Sequence, residues 1–195
     1  MRTALLLSGG MRSTCLAWMY RPDIAIAIDY GQPAFAAELR SASAVCAELD
    51  IAMRVMSLRE AGGADDDLGC SIVTALASDE EPWGLNGAGL IAAGVTEAYR
   101  LGATRLLIAS RTRDNLALIR IAETDGNALR AGLAEPVFPA IAHSTDVLVK
   151  AGRVPGRLLL LTHNCIRSNT PCHDCPACDR ASMAFLSIGF DLGFL

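Results

Sequence analysis

The chain has little charge for its length. Only 19% of its 195 residues are charged and 52% are hydrophobic, which excludes a disordered segment, because such segments carry too little apolar surface to bury a core. No apolar run approaches the ~18 residues that suggest a membrane span. Behind Arg2 the stretch Ala4, Leu5, Leu6, Leu7 is cut by Ser8, Gly9 and Gly10, too early for a signal peptide, so the start reads as that of a mature cytoplasmic protein. No fixed-period repeat is present, which excludes a solenoid. A basic cluster is missing too: 17 Lys+Arg stand against 21 Asp+Glu for a net charge of −4, and this argues against nucleic acid as a partner. A single globular domain over residues 1–195 remains.

The seven cysteines are an odd number with four crowded near the C-terminus, which suits a metal better than a disulfide framework. Cys165, Cys172, Cys175 and Cys178 have the spacing C-x6-C-x2-C-x2-C, with Pro171 and Pro176 shaping turns between them. Four thiolates match a tetrahedral Zn2+ ion and leave no open position, so the zinc is structural and folds a C-terminal segment, residues 162–195. Iron–sulfur clusters use similar ligands, but a closed all-Cys set without an electron-transfer motif favours zinc. His163 and His173 are the spare ligands. Cys15, Cys46 and Cys70 read as small core residues.

Short apolar runs alternate with helical periodicity: strands are expected at 3–7, 24–29, 52–57, 105–109 and 157–161, and helices at 13–20, 34–49, 87–101 and 116–130. Residues 59–86, with Asp65, Asp66 and Asp67 at their centre, form a long excursion. The alternation predicts an α/β fold, a doubly wound parallel sheet covered by helices on both faces. Ligands of such sheets bind beyond the carboxyl ends of the strands, so motifs that follow strands matter most.

The first such motif is Ser8-Gly9-Gly10-Met11-Arg12-Ser13-Thr14. Glycines permit close backbone approach, amides at the helix start point outward and hydroxyls add donors, which together make a phosphate cradle. It lacks the Gly-Lys-Ser/Thr ending of a Walker loop and G-x-G-x-x-G. It resembles the S-G-G-x-D-S pyrophosphate loop of ATP pyrophosphatases, with Arg12 where that family has an acid. A cation at a helix N-terminus is unfavourable by ~0.3–1 kcal/mol, so Arg12 either meets an anion or points into solvent.

Three features occur in one order: this loop, then Asp29-Tyr30-Gly31-Gln32 after the second strand, then the four-cysteine tail followed by Arg180 and Ala184-Phe185. Together they resemble the 7-cyano-7-deazaguanine synthase family. The resemblance implies an adenine nucleotide alpha hydrolase-like fold, one structural zinc and a homodimer. It also implies ATP-dependent adenylation of a deazapurine carboxylate followed by attack of ammonia, with a second activation giving the nitrile. ATP and a purine-like molecule are then the ligands, and Mg2+ an accompanying ion. Carried over by position, Ser8, Gly9, Gly10, Ser13 and Thr14 hold phosphates, while Asp29, Tyr30, Gly31, Gln32 and Asn86 border the nucleotide. Ser8, Arg12, Ser13 and Asp114 form the catalytic set.

Three positions depart in charge from the family pattern: Arg12 for an acid, Leu85 for an arginine and Asp146 for a lysine. These changes open an alternative, an inactive nucleotide- or base-binding homologue that acts on a protein partner, for example in a defence or modification system. A third class, tRNA thiolation, shares the loop architecture, but the chain shows no basic extension. Trp18 and Trp83 read as packing residues and His143 as a turn residue. Arg111 and Arg113 are open between phosphate contact and solvation.

Overall fold

The computed structural model describes residues 1–58, 87–110 and 133–190. Five parallel strands form one sheet: β1 (Thr3–Leu6), β2 (Ile24–Asp29), β3 (Ala52–Ser57), β4 (Arg105–Leu107) and β5 (Glu135–Val137), in the order β3-β2-β1-β4-β5. The described helices are α1 (Met11–Tyr20), α2 (Phe35–Leu49), α3 (Gly87–Arg100), α4 (Thr145–Ala151), α5 (Gly156–Leu159) and α6 (Pro176–Ser187).

The alternation of side chains along each strand explains the two cores. Leu5 and Leu7, Ala25 and Leu107 face one side, where they meet Leu16, Val45, Leu148, Leu158 and Phe185 of the surrounding helices. Ala4, Ile24, Ile26, Leu106 and Ile108 face the other, against Ala98 of α3. Period-two alternation between two apolar faces is what a sheet covered on both sides requires. Leu158, Ala184 and Phe185 belong to the same core as Leu5, so the C-terminal helices pack on the sheet. Cys15 and Cys46 are buried in that core as expected, and burial pushes their thiols up to about 12 and about 11.

Two expectations change. Residues 157–161 were expected as a strand, but Gly156–Leu159 is a helical turn, with Leu158 and Leu159 buried and Leu160 57% exposed. A four-leucine run does not by itself distinguish strand from helix, and the proline just before it starts a helix well. The fifth strand is instead Glu135–Val137, a three-residue edge strand whose Pro136 pairs with Leu106. Proline depresses strand expectation, yet an edge position tolerates it. The expected helix at 116–130 and the excursion at 59–86, with Cys70 and Trp83, lie outside the described residues.

The order places β1 and β4 side by side although β2 and β3 intervene in sequence. This is the point where the chain reverses its direction of winding, and the crevice opens there.

Candidate functional site

The first loop lies at that point. Gly9 has φ +72°, and a Cβ there would stand 2.3 Å from the Glu38 carbonyl oxygen, so both conformation and the close approach of α2 demand glycine. Gly10 precedes α1 in extended conformation and supplies no side-chain cap. Its carbonyl collects the Ser13 hydroxyl at 3.0 Å, the Thr14 hydroxyl at 3.0 Å and the Thr14 amide at 3.1 Å. Ser8 Oγ lies 3.3 Å from Ser13 Oγ and accepts the Gly10 amide at 3.4 Å. Thr14 is fully buried; its hydroxyl holds the loop's own carbonyl.

The loop's remaining partners come from far along the chain. The Met11 amide donates to Asn164 Oδ1 at 2.9 Å, and the His163 amide donates to Gly9 O at 3.0 Å. Arg12 donates from Nε to Ala109 O (3.2 Å), from Nη1 to His143 O (2.8 Å) and from Nη2 to Ser110 O (3.0 Å) and Ala140 O (2.8 Å). These four carbonyls replace the two expected destinations, anion or solvent. They offset the cost of a cation at a helix start, because carbonyl dipoles favour positive charge. His143 serves as the expected turn residue, its amide donating to Ala140 O.

The second motif is a turn held mainly by its own side chains, with the Asp29 carbonyl also accepting the Leu58 amide at 2.7 Å. Asp29 Oδ1 accepts the Gly31 amide at 3.0 Å, and Gln32 Oε1 accepts the Tyr30 amide at 3.0 Å. Gln32 Nε2 donates to Ile28 O (3.0 Å) and to Glu38 Oε2 (2.9 Å). Gly31 has φ +94° with open space around it, so glycine is needed for conformation alone.

Two cavities flank the loop. The first, of about 220 Å³, is walled by apolar side chains including Leu7, Ile26 and Ile108, with Ser8, Ser13, Tyr30, Gln32, Glu38 and Ser110 as its polar lining. The second, of about 200 Å³, lies toward the C-terminal segment and includes Ser8, Ser13, Thr145, Asn164 and Arg180. Ser8 and Ser13 line both. An apolar chamber that shares its hydroxyl-bearing wall with a more polar one suits a molecule with a flat apolar part and an anionic part. Burial pushes the Glu38 carboxyl up from its ordinary value, against the hydrogen bond from Gln32 and the charge of His163.

Trp18 packs on the core, its Nε1–H bonded to Gly152 O at 3.0 Å, with Arg21 over its ring at 4.4 Å. Asp146 begins α4, where a hydrogen bond from Ser144 holds its carboxyl below the ordinary range. Leu85, Asn86, Arg111, Arg113 and Asp114 lie outside the described residues.

Cys165, Cys172, Cys175 and Cys178 come together with all four sulfurs within 4.8 Å of one another. Bonds of about 2.3 Å to one tetrahedral zinc place sulfurs about 3.8 Å apart, and Cys172 Sγ lies 4.0 Å from Cys178 Sγ. A cluster whose cysteines bind different irons spreads them further, so this spacing suits one shared ion. Burial opposes ionisation of Cys165, but amides of Arg167, Cys172 and Ser168 draw its thiol down to about 6. Burial, the Cys175 hydrogen bond and the Cys165 charge push Cys178 up to about 12. His163 instead uses Nε2 on Ser168 O at 2.9 Å.

Glu38, Asn164 and Asn169 escaped the sequence reading. The only signal was position: Asn164 directly precedes the first ligand cysteine, and Glu38 lies six residues beyond Gln32.

No protein-family model matches the chain, and no curated protein matches it. Among solved structures, the chain is similar to the U34-tRNA thiolase NcsA from Methanococcus maripaludis with its [4Fe-4S] cluster. The TM-score is 0.54 at 16% identity, over 95% of this chain and 65% of that one. The likeness is one of fold, and the chain spans about two thirds of that protein's length. The sheet order and this likeness give the adenine nucleotide alpha hydrolase-like fold expected from the sequence, with a four-cysteine metal site near its C-terminus. No described helix is long and apolar enough to cross a membrane.

Proposed function

We propose that the chain is an adenine-nucleotide-binding protein of the ATP pyrophosphatase type. Within that class we place it beside the 7-cyano-7-deazaguanine synthases, as a divergent protein that adenylates a carboxylate on a purine-like acceptor for attack by ammonia. The observation that carries this reading is the pair of cavities that share Ser8 and Ser13 as lining beyond the ends of β1 and β4.

In this reading the first cavity takes the adenosine, against Ile26, Ile108 and the Tyr30–Gln32 turn. The α-phosphate sits at Ser8 and Ser13, and the second cavity receives the leaving pyrophosphate near Arg180 and Thr145. The acceptor carboxylate attacks the α-phosphorus and pyrophosphate departs. Ammonia then attacks the acyl adenylate, releasing AMP. The chain's contribution is to align the reactants and to stabilise the departing charge. Thiolates of Cys165, Cys172, Cys175 and Cys178 would hold Zn2+, which supplies folding energy and no open coordination position. A homodimer and bound Mg2+ belong to the same proposal.

A second reading, a nucleotide-binding module without turnover, is favoured by Arg12. Its guanidinium is engaged by four backbone carbonyls, at a position where the resembling family carries a metal-holding acid. Incubation with ATP, Mg2+, ammonium and carboxylated deazapurines separates the two. AMP and pyrophosphate formed together support the enzyme. ATP binding without them supports the module, and no binding of any adenine nucleotide refutes both.

A further inference from the structure

Two of the helices that wall the first cavity, α1 and α2, begin without caps of their own. α1 follows Gly10 and α2 follows Ala34, and neither residue supplies a side-chain hydrogen bond. Helix starts leave several amides unsatisfied, and Asn is among the strongest cap residues. Both starts obtain an asparagine oxygen from the cysteine segment. Asn164 Oδ1 accepts the Met11 amide at 2.9 Å, and Asn169 Oδ1 accepts the Ala37 amide at 2.8 Å, an amide it shares with Ala34 O at 3.0 Å. Asn164 adjoins the ligand Cys165, and Asn169 lies between Cys165 and Cys172. Asn164 is itself aimed by its Nδ2, which donates to Thr162 Oγ1 at 3.1 Å.

The two asparagines stand on an irregular stretch held by the His163 amide on Gly9 O, by His163 Nε2 on Ser168 O and by the cage. No helix or strand lies between α5 and α6, and Cys165, Cys175 and Cys178 form their own small cluster with Cys172 and Ala177, separate from the main core. A bound ion adds to these hydrogen bonds in fixing the segment between Cys165 and Cys178. We infer that Asn164 and Asn169 are positioning residues that carry the metal state of the cysteine cage to the starts of α1 and α2, so that metal binding and nucleotide binding are coupled. α1 follows the phosphate loop directly, and α2 follows the Asp29–Gln32 turn and carries Glu38, so both caps act on the walls of one cavity. Coupling of this kind is reciprocal: the nucleotide retains the metal as the metal organises the nucleotide site. The nucleotide half of this inference rests on the proposed function; the helix starts do not.

The test uses the full zinc-loaded chain, with amide exchange followed at Met11 and Ala37 and ATP as the probe. Removing a cap is expected to speed exchange at the amide it covered and to weaken ATP binding by about fivefold each. Asn164→Ala should act at Met11, and Asn169→Ala, to a smaller extent because Ala34 O still accepts, at Ala37, with zinc content unchanged. Asn169→Asp, which keeps the acceptor, should restore slow exchange. Chelating zinc from the unmutated chain should release both amides together while exchange in β1 and β2 holds. ATP should slow zinc loss to the chelator, and that protection should vanish in the double alanine variant. Slow exchange at Met11 and Ala37 after chelation overturns the inference, as does full ATP protection of zinc in the double variant. If the unmutated chain binds no ATP, the nucleotide reading fails, while exchange after chelation still decides whether the cage reaches the helices.

Discussion

The loop at residues 8–14 and the turn at residues 29–32 sit at the ends of neighbouring strands, yet they are held in opposite ways. The turn is mainly local: its side-chain hydrogen bonds link residues two to six apart, through Asp29, Gln32 and Glu38, while the Asp29 carbonyl accepts the Leu58 amide of the neighbouring strand's end. The loop depends on Asn164, His163 and the carbonyls of Ala109, Ser110, Ala140 and His143, residues about a hundred or more positions away. A locally built turn keeps its shape whenever its strand is present. A loop built from distant pieces takes its shape only when the whole chain is folded, which makes it the part of the site open to control.

The strongest way to break this contrast is to remove a sulfur. Cys175→Ser keeps an oxygen acceptor at the start of α6, where Cys175 Sγ now accepts the Cys178 amide, but takes away one metal ligand. Structural zinc contributes on the order of 10 kcal/mol in small metal-folded peptides. The expected outcome is loss of bound zinc, rapid exchange across α6 and at Met11, and unchanged exchange at Tyr30 and Gly31. Equal loosening of loop and turn, read by amide exchange, would erase the distinction.

Glycine substitution sharpens the comparison at smaller cost. Gly9→Ala meets both a left-handed φ and the Glu38 carbonyl, and should destabilise by about 3 kcal/mol. Gly31→Ala meets an unfavourable φ in open space, and should cost about 1 kcal/mol. Urea unfolding of the two variants checks the difference; equal values would mean that crowding by α2 does not constrain the loop.

Arg12→Met tests the distant anchors directly. It removes the donor to four partly buried or exposed carbonyls that water can in part reach, so about 2 kcal/mol is expected. The loss should appear in thermal unfolding without ATP. An Arg12→Met variant as stable as the unmutated chain, but with weakened ATP binding, would show that the guanidinium serves the ligand rather than the fold.

The same contrast explains what could be read from the sequence. The strands at 3–6, 24–29 and 52–57, the glycines of the loop, the Asp29–Gln32 turn and the cysteine cage are written in short stretches, where periodicity and spacing carry the information. The helical turn at Gly156–Leu159 and the Pro136 edge strand were missed because three or four residues hold too little periodic signal. Asn164, Asn169 and the anchoring of Arg12 were missed for another reason. Each is a polar residue whose role is set by a backbone group on another element, and nothing in its own neighbourhood announces that partner.

The smallest effect separates the turn's hydrogen bonding from its charge. Burial raises the Glu38 carboxyl above its ordinary 4.5, so the fold favours its neutral form more than the unfolded chain does. The native state then binds the extra proton, and its contribution is fully present below 4.5 and is lost as pH rises through the raised value. Glu38→Gln keeps a neutral acceptor for Gln32 and removes the titration. Measured as urea midpoints from about pH 4 to about pH 7, the unmutated chain should lose stability relative to Glu38→Gln as pH increases. A gap that stays constant, or that moves the other way, would mean that the Gln32 hydrogen bond and the His163 charge outweigh burial. The first cavity would then present a carboxylate throughout this range, a poor neighbour for phosphate and a good one for a cation.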